Sequence, residues 1–278
     1  MDYANNVAWP SRRGEAARRA RIERRLSPSS FLSAPLRSLN YDSTAAWAWN
    51  NYRATVLGIA EACRDRAGNS VRMLEVGGGR APMFTPAEAA AAGLAVSVND
   101  IDERELSLGP PEFGKALFDI AAEVSPSWHG GFDLIASHMV MEHVRDARKA
   151  WSNMAALLAP SGVAIAFHPT LYAPPFLINA LLPDRLTAPL LRLFFPARHD
   201  GVQPKFPAWY DMCVSDLAKV EPMLKACGFR ETLIVPFWGH DYFRSLPGLR
   251  EIDDAVQGIA EARDWRALSS YAFSLARR

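Results

Sequence analysis

The feature that most constrains this chain is an apolar run that ends at three consecutive glycines, at residues 71–79. Residues 71–76 carry a β-branched residue at each end and predict a strand, and the alanine-rich residues 86–92 predict a helix. Glycines let the backbone approach a ligand closely, and the first N–H groups of a helix attract negative charge. This order of strand, glycine turn and helix predicts a cofactor cradle in an α/β fold.

The spacing of the glycines leaves three interpretations open. A dinucleotide fingerprint needs Gly-x-Gly-x-x-Gly, and Gly77 and Gly79 fit it, but Pro82 occupies the third position. Counted from Glu75, the pattern Glu-x-Gly-x-Gly-x-Ala resembles motif I of the class I S-adenosylmethionine (SAM) dependent methyltransferases, with Ala81 replacing the last glycine. An ordinary tight turn is the third interpretation. The residues that follow separate the three.

Acidic residues follow the next two predicted strands. Residues 94–98 predict a strand that closes near Asp100, where a carboxylate can accept hydrogen bonds from both hydroxyls of a ribose. Residues 116–118 predict a third strand, and the resemblance implies that Asp119 and Ile120 after it bind the adenine amino group. The alternative role of either acid is to cap a helix.

The fourth unit of the chain makes the resemblance specific. It contains Phe-Asp-Leu-Ile at 132–135, Glu-His-Val at 142–144 and Leu-Leu-x-Pro-x-Gly at 157–162. In this order and spacing these are similar to motifs IV to VI of the UbiE/UbiG-like class I methyltransferases, the methyltransferase type 11/23 group. The resemblance covers residues 71–169, about a third of the chain, and implies SAM as the cofactor. The cofactor-binding residues that we predict are Glu75, Gly77, Gly79, Asp100, Ile101, Asp119, Ile120 and Ser137.

A long insertion follows the predicted fifth strand, at about residues 169–211. It holds eight of the chain's twenty prolines and several large aromatics, and a loop of this length in a compact domain is typically functional. We expect a lid of short helices over the methyl acceptor. The alternative is a membrane-interface or dimer patch built on residues 176–195. The candidate acceptor contacts are Tyr172, Trp209 and Tyr210, with Asp211 as a further one.

Three histidines fall beyond the carboxyl ends of predicted strands, where open α/β sheets bind their ligands. His138 and His143 follow the fourth strand, and His168 ends the fifth. Methyl transfer from a sulfonium requires an in-line arrangement, and a hydroxyl acceptor also needs a base that titrates near neutral pH. We therefore take His143 and His168 as candidate bases and His138 as part of the methyl site.

The pair Glu142-His143 raises the option of a magnesium site, which some quinone-pathway relatives with this pair possess. Magnesium prefers oxygen ligands, adjacent helical residues do not share a face, and no second carboxylate is evident nearby. The sequence therefore predicts no metal.

The rest of the chain completes a doubly wound, Rossmann-like α/β sheet of seven strands that ends in an antiparallel pair. The predicted domains are an N-terminal helical cap, residues 1–66, and a methyltransferase domain, residues 67–278, with the lid insertion inside it. The last predicted elements are a helix at 214–226, a strand at 229–237, a helix at 249–266 and a strand at 270–276.

The charge pattern limits the partners. A net charge of +1 predicts no attraction to nucleic acid. The arginine-rich residues 12–26 predict a solvated helix face, with an anionic substrate or a membrane surface as the alternative partner. We find no signal region and no bilayer span in the sequence, so we expect a cytoplasmic protein without stable membrane insertion; a peripheral membrane contact and the oligomeric state, including a homodimer, stay open.

These observations favour a SAM-dependent methyltransferase that methylates a small molecule or a glycan, at oxygen, with a histidine base. Residues 205–210 also look like bacterial methyltransferases of natural-product or surface-polysaccharide pathways. One alternative is a nicotinamide-dependent oxidoreductase, which Pro82 and the Glu-His-Val unit disfavour. The other is a non-catalytic Rossmann-like binding module, which Asp100 and Asp119 disfavour.

Overall fold

The computed structural model describes residues 20–27, 29–67, 70–181, 207–243 and 246–278. A seven-stranded sheet forms its centre, and apolar side chains of the strands fill the core between the sheet and the helices. The strands are β1 Val71–Val76, β2 Leu94–Asp100, β3 Gly114–Leu117, β4 Phe132–His138, β5 Leu158–Pro169, β6 Glu231–Phe237 and β7 Tyr271–Arg277.

The strand order is β3-β2-β1-β4-β5-β7-β6. Strands β1 to β5 pair in parallel, and β7 runs antiparallel to both of its neighbours. This topology confirms the predicted doubly wound, Rossmann-like sheet with an antiparallel closing pair. The order reverses between β1 and β4, so the crevice beyond the carboxyl ends of these two strands is the expected ligand site. We call this side of the sheet the carboxyl edge.

The helices begin at residues that can cap them. Thr85, Asp102, Asp146 and Asp216 each accept a backbone N–H from the first turn of the helix that follows. Residues 20–25 are also helical, and short 3₁₀ turns lie at Pro126–Trp128, Met141–His143 and Arg266–Leu268. The helices are α1 Ala34–Ser38, α2 Ala45–Ala67, α3 Pro86–Ala91, α4 Glu103–Ser107, α5 Ala147–Leu157, α6 Pro174–Leu181, α7 Leu217–Ala226 and α8 Leu249–Ala262.

Several element boundaries differ from the sequence prediction. Strand β6 begins at Glu231 rather than 229, because Gly228 takes a left-handed φ of 102° and the next N–H, on Phe229, returns to Leu224 O in the helix end. Helix α8 ends at Ala262 rather than 266, because Asp264 is also left-handed. Strand β3 is Gly114–Leu117, so it starts two residues earlier and ends one residue earlier than predicted. Strand β7 starts at Tyr271, one residue later than predicted.

The predicted lid of short helices lies largely outside the described residues, since only residues 169–181, which include α6, and residues 207–211 of the insertion are described. The division into a cap, residues 1–66, and a domain, residues 67–278, stays a prediction. In the described part of the chain, no helix is both long and apolar enough to cross a membrane.

Helix α2 is tied to the sheet by one buried tyrosine. The Tyr52 hydroxyl donates to Ser137 O at 2.6 Å and accepts from Ser137 N at 3.2 Å, at the end of β4. The ring packs against Phe167 and Phe273, with centroids 5.5 and 5.3 Å away. Helix α2 therefore supports the strand end that carries His138.

We expect Tyr52→Phe to lower the free energy of unfolding by about 1–3 kcal/mol, because it leaves a buried backbone N–H without its hydroxyl partner. Urea denaturation followed by circular dichroism measures this. Tyr172→Phe is the control, since the Tyr172 side chain is 38% exposed. Equal stability of the two variants would contradict the role of the Tyr52 hydroxyl.

Candidate active site

The glycine turn after β1 brings three strand ends together. Gly77 N and Gly78 N both donate to Asn99 O of β2, at 2.9 and 3.2 Å. Gly77 has a φ of 75°, and a Cβ at this position would collide with the Val140 side chain, just beyond β4. A residue with a side chain cannot occupy this position without displacing β4 or the turn.

Asp100 lies against the same turn. A Cβ on Gly79 would stand 2.9 Å from Asp100 Oδ2, and Gly79 has a φ of 48°. Asp100 Oδ1 accepts the Asp102 N–H at 3.0 Å, and partial burial raises the pKa of the Asp100 carboxyl. The carboxylate of Asp100 thus stands at the end of β2, beside the cradle that the glycines leave open.

The capping role that the sequence left open for Asp100 belongs to Asp102. The Asp102 carboxylate accepts from Arg104 N at 2.8 Å and from Glu105 N at 3.3 Å, at the start of α4. Glu105 pairs with Arg80 of the glycine turn, with Nε 2.6 Å from Oε2. This pair holds α4 against the turn and leaves Asp100 to face a ligand.

Glu75 lies beneath the turn and is only 5% exposed. Its two carboxylate oxygens are 2.8 and 2.9 Å from the Met83 N–H, which lies beyond the glycines. Burial raises the pKa of Glu75 to about 7. Glu75 therefore stabilises the loop between the glycines and Met83, in addition to the cofactor contact that the sequence predicts.

Two asparagines that the sequence analysis missed hold the segment that carries Asp119. Asn99 Nδ2 donates to the carbonyls of residues 116 and 118, at 2.7 and 2.8 Å. Asn153 Nδ2, on α5, donates to Ile120 O and Ala122 O, both at 2.7 Å. The only signal for Asn153 in the sequence is a polar residue inside the buried stripe of an amphipathic helix.

The residues predicted to bind adenine and ribose lie next to Asn99 and in the segment that the two asparagines hold. Asp119 Oδ1 accepts the Ala121 N–H at 2.8 Å, and Ile120 is buried. Ile101 is 73% exposed at the end of β2, next to Asp100. Ser137 is fully buried at the end of β4, and its Oγ has no hydrogen-bond partner among the described residues. An orphaned hydroxyl and a cradle that a Cβ would fill both fit a bound cofactor at the carboxyl edge.

His138 stands in an aromatic cage at the end of β4. Its ring centroid is 5.2 to 5.3 Å from those of Trp49, Tyr52 and Phe167. Burial lowers the pKa of His138 to about 4, so the ring is neutral at pH 7. Tyr52 and Phe167 are fully buried in this cage, whereas Trp49 and His138 are only partly buried.

His168 lies inside the sheet and is 3% exposed. Its Nε2 is 2.9 Å from Ser274 Oγ of β7, and its Nδ1 is 3.1 Å from Pro169 O. Burial lowers its pKa to about 4. Both ring nitrogens face groups of the chain itself, which favours a structural role for this ring over the predicted role as a base.

His143 sits in the turn after β4 with a side chain that is 33% exposed. Its Nδ1 is 2.7 Å from Pro207 O. A carbonyl oxygen only accepts, so Nδ1 carries the proton and the lone pair of the neutral ring is on Nε2. Of the three predicted histidines, His143 alone combines exposure with a tautomer set for proton abstraction.

Glu142, the residue before His143, has a buried carboxyl group. Its Oε2 makes no hydrogen bond within the described residues, and burial raises the pKa of the carboxyl to about 8. The backbone carbonyl of Glu142 accepts from Trp209 N at 2.8 Å and Tyr210 N at 3.1 Å, which docks residues 207–213 onto the turn. Glu142 Oε1 lies 3.9 Å from His143 Nε2, and the described residues contain no group of three or more potential metal ligands.

The structure brings two of the predicted acceptor residues to the turn that carries His143, because Trp209 N and Tyr210 N both bind Glu142 O. Trp209 is 42% exposed under the Arg145 guanidinium, and Tyr210 is buried against Phe176. Tyr172, the third, is 38% exposed, with Lys219 of α7 5.5 Å above its ring.

Asp211, a further predicted acceptor contact, has a structural role as well. Its Oδ2 accepts the Ala147 N–H at 2.8 Å, so it helps to begin α5.

One cavity in the described part of the chain lies away from this site. Its volume is about 780 Å³, and it is lined by residues at the starts of strands, among them Arg72, Leu94 and Phe132. These residues lie at the opposite end of the sheet from the carboxyl edge.

Comparison with known families decides the class of the domain. Residues 74–166, a third of the chain, match a family model described as a methyltransferase domain. These residues form a class I methyltransferase domain. The match spans the glycine turn, both predicted ligand acids and the Glu-His-Val unit, and it confirms the class I methyltransferase recognised from those motifs, while the UbiE/UbiG-like assignment stays a prediction. The enzyme class is therefore SAM-dependent methyltransferase, its cofactor is SAM, and its reaction requires a methyl acceptor.

No curated protein matches the chain. Among solved structures, a SAM dependent methyltransferase from Archaeoglobus fulgidus is 14% identical, with a TM-score of 0.47, and the alignment covers 84% of this chain and 100% of that one. A methyltransferase from Mesorhizobium loti is 17% identical, with a TM-score of 0.43 and coverage of 79% and 98%. Phosphoethanolamine N-methyltransferase 2 from Haemonchus contortus is 16% identical, with a TM-score of 0.45 and coverage of 94% and 60%.

We expect Glu142→Gln to become more stable than the wild-type protein as pH rises. The folded carboxyl has a pKa of about 8, above its ordinary value of 4.5, so its contribution to stability is complete below pH 4.5 and is lost as pH rises towards 8. The variant has no carboxyl group at this position, so its unfolding free energy does not fall in this way. The difference in unfolding free energy, variant minus wild type, should grow by roughly 3 kcal/mol between pH 5 and pH 8.

Urea denaturation at a series of pH values measures this difference. Glu112→Gln, at an exposed position, is the matched control and should show no such growth. A flat difference for Glu142→Gln would mean that the carboxyl is ionised in the folded protein at neutral pH.

Proposed function

We propose that the protein transfers the methyl group of SAM to a hydroxyl oxygen of a small-molecule or glycan acceptor, with His143 as the general base. The observation that carries the proposal is the Nδ1 contact of His143 with Pro207 O, because it directs the basic Nε2 away from that carbonyl. His143 lies in the turn directly after β4, at the carboxyl edge where the cofactor residues also stand.

The residues at the ends of the strands fit the parts of the cofactor. Asp100, beside Gly79, would accept the ribose hydroxyls, and Asp119 with Ile120 would hold the adenine. Asn99 and Asn153 keep that segment in place by binding four of its carbonyls. The glycine turn leaves room for a ligand close to the backbone.

When bound, the cofactor supplies a methyl group on a positively charged sulfur. His138 suits that charge, because a neutral ring does not repel a cation, and the partly buried ring of Trp49 beside it attracts one. A charged imidazolium at this position would oppose cofactor binding.

His143 then takes the proton of the acceptor hydroxyl at Nε2 as the oxygen attacks. The hydrogen bond from Nδ1–H to Pro207 O favours the imidazolium that forms. Trp209 and Tyr210 are held to the same turn through Glu142 O, so the acceptor contacts and the base move as one unit.

We expect His143→Gln to lower kcat about 10²–10⁴-fold while SAM affinity is unchanged, because it removes the base and no predicted cofactor contact. The assay follows transfer of an isotopically labelled methyl group to a panel of phenols, sugars and amines. The wild-type protein should label its acceptor at oxygen, and the variant should do so at the lowered rate.

The control is His129→Gln, at an exposed position before β4, which should keep the wild-type kcat. Full activity of His143→Gln would refute the base, and label found only on nitrogen would refute the oxygen acceptor. Failure to label any compound would leave a methyltransferase whose acceptor is outside the proposed class.

A further inference from the structure

A cleft lined by arginines lies beside the outer strand β6, away from the candidate active site. Its volume is about 310 Å³. One wall is the helical stretch at residues 20–25, and the other is the end of α8 with the turn after it. The lining residues are Arg21, Arg24, Arg25, Ala262, Arg263, Asp264 and Arg266.

The floor of the cleft is held in place by Arg25. The Arg25 side chain is 4% exposed, and its Nη2 and Nε lie 2.6 and 3.1 Å from Asp264 Oδ1. Its guanidinium stacks on the Trp238 ring, 4.7 Å from the centroid. Asp264 has a left-handed φ of 54°, which turns its carboxylate back towards Arg25.

Arg266 shares the same carboxylate. Its Nε lies 3.5 Å from Asp264 Oδ2, and its Nη1 donates to Ile234 O of β6 at 3.1 Å. Burial lowers the pKa of Arg266, and the positive charge of Arg25 contributes in the same direction. One carboxylate therefore balances two guanidinium groups, and the floor keeps an excess of positive charge.

The remaining arginines add to that excess. Arg21, Arg24 and Arg263 have no carboxylate within ion-pair distance among the residues that the structure describes, and Arg263 stacks on Trp265 at 5.0 Å. Four more arginines, at positions 12, 13, 18 and 19, precede Arg21 in the sequence and lie outside the described residues. The net charge of the whole chain is +1, so this concentration is local.

We propose that this cleft binds a phosphate group, carried either by a soluble phosphorylated compound or by the headgroup of an anionic lipid. The planar guanidinium presents paired N–H donors that match phosphate oxygens, and stacked or buried arginines lose little further freedom on binding. A cavity of this size holds a phosphate with part of the molecule that carries it. None of the lining residues belongs to the candidate active site, so the cleft is a second binding site.

Calorimetric titration of the full chain with inorganic pyrophosphate tests the proposal. We compare the wild-type protein, the double variant Arg24→Gln/Arg263→Gln, and the control Arg148→Gln/Arg230→Gln, whose arginines are exposed and outside the cleft. The wild type and the control should show saturable binding, weakened about tenfold or more in the cleft variant. Equal thermal unfolding of the three proteins shows that each is folded.

Sedimentation with phosphatidylcholine vesicles, with and without phosphatidic acid, separates the two sources of phosphate. Co-sedimentation that needs phosphatidic acid and is lost in the cleft variant assigns a lipid headgroup. Pyrophosphate binding without co-sedimentation with phosphatidic acid vesicles assigns a soluble phosphorylated compound. Absence of both kinds of binding in the wild type, or equal binding by the cleft variant and the control, overturns the proposal.

Discussion

The candidate site depends on the close approach of three strand ends at one glycine. Gly77 must adopt a left-handed φ, return its N–H to Asn99 O of β2, and leave room for Val140 after β4. A Cβ at this position would collide with the Val140 side chain, just beyond β4, at the point where the strand order reverses. The close approach of the glycine turn to the chain after β4 therefore requires a residue without a side chain.

The polar groups of the site lie around this glycine turn. Glu75 lies under the turn and closes its loop through Met83, while Asp100 stands beside it and faces outwards. On the other side of β1, the turn after β4 holds His143 and, through the Glu142 carbonyl, the segment with Trp209 and Tyr210. The glycine turn and the histidine turn are therefore the two walls of a single crevice, in contact through Gly77 and Val140.

Periodic and local patterns predicted most of the fold. The alternation of apolar runs and helical stretches, with a glycine turn after the first strand, was sufficient to predict the seven-stranded sheet. The sequence could not predict Asn99, Asn153 or Tyr52, because their contacts join residues far apart in the chain. The same limit applies to His168 and Asp211, whose positions in the sequence suit a binding site. His168 contacts Ser274, and Asp211 accepts the Ala147 N–H, and both partners are distant in sequence.

The central claim is that SAM binds at the carboxyl edge of the sheet, beside the glycine turn after β1 and Asp100 after β2, and calorimetric titration with SAM and, separately, with NADH tests it most directly. We expect micromolar binding of SAM, none of NADH, and an affinity for SAM lowered by about 1–3 kcal/mol in Asp100→Asn, because the ribose loses a charged hydrogen-bond partner. The exposed substitution Glu103→Gln, three residues away, should bind SAM as the wild type does. Binding of NADH, or SAM binding that is indifferent to Asp100, would contradict the account.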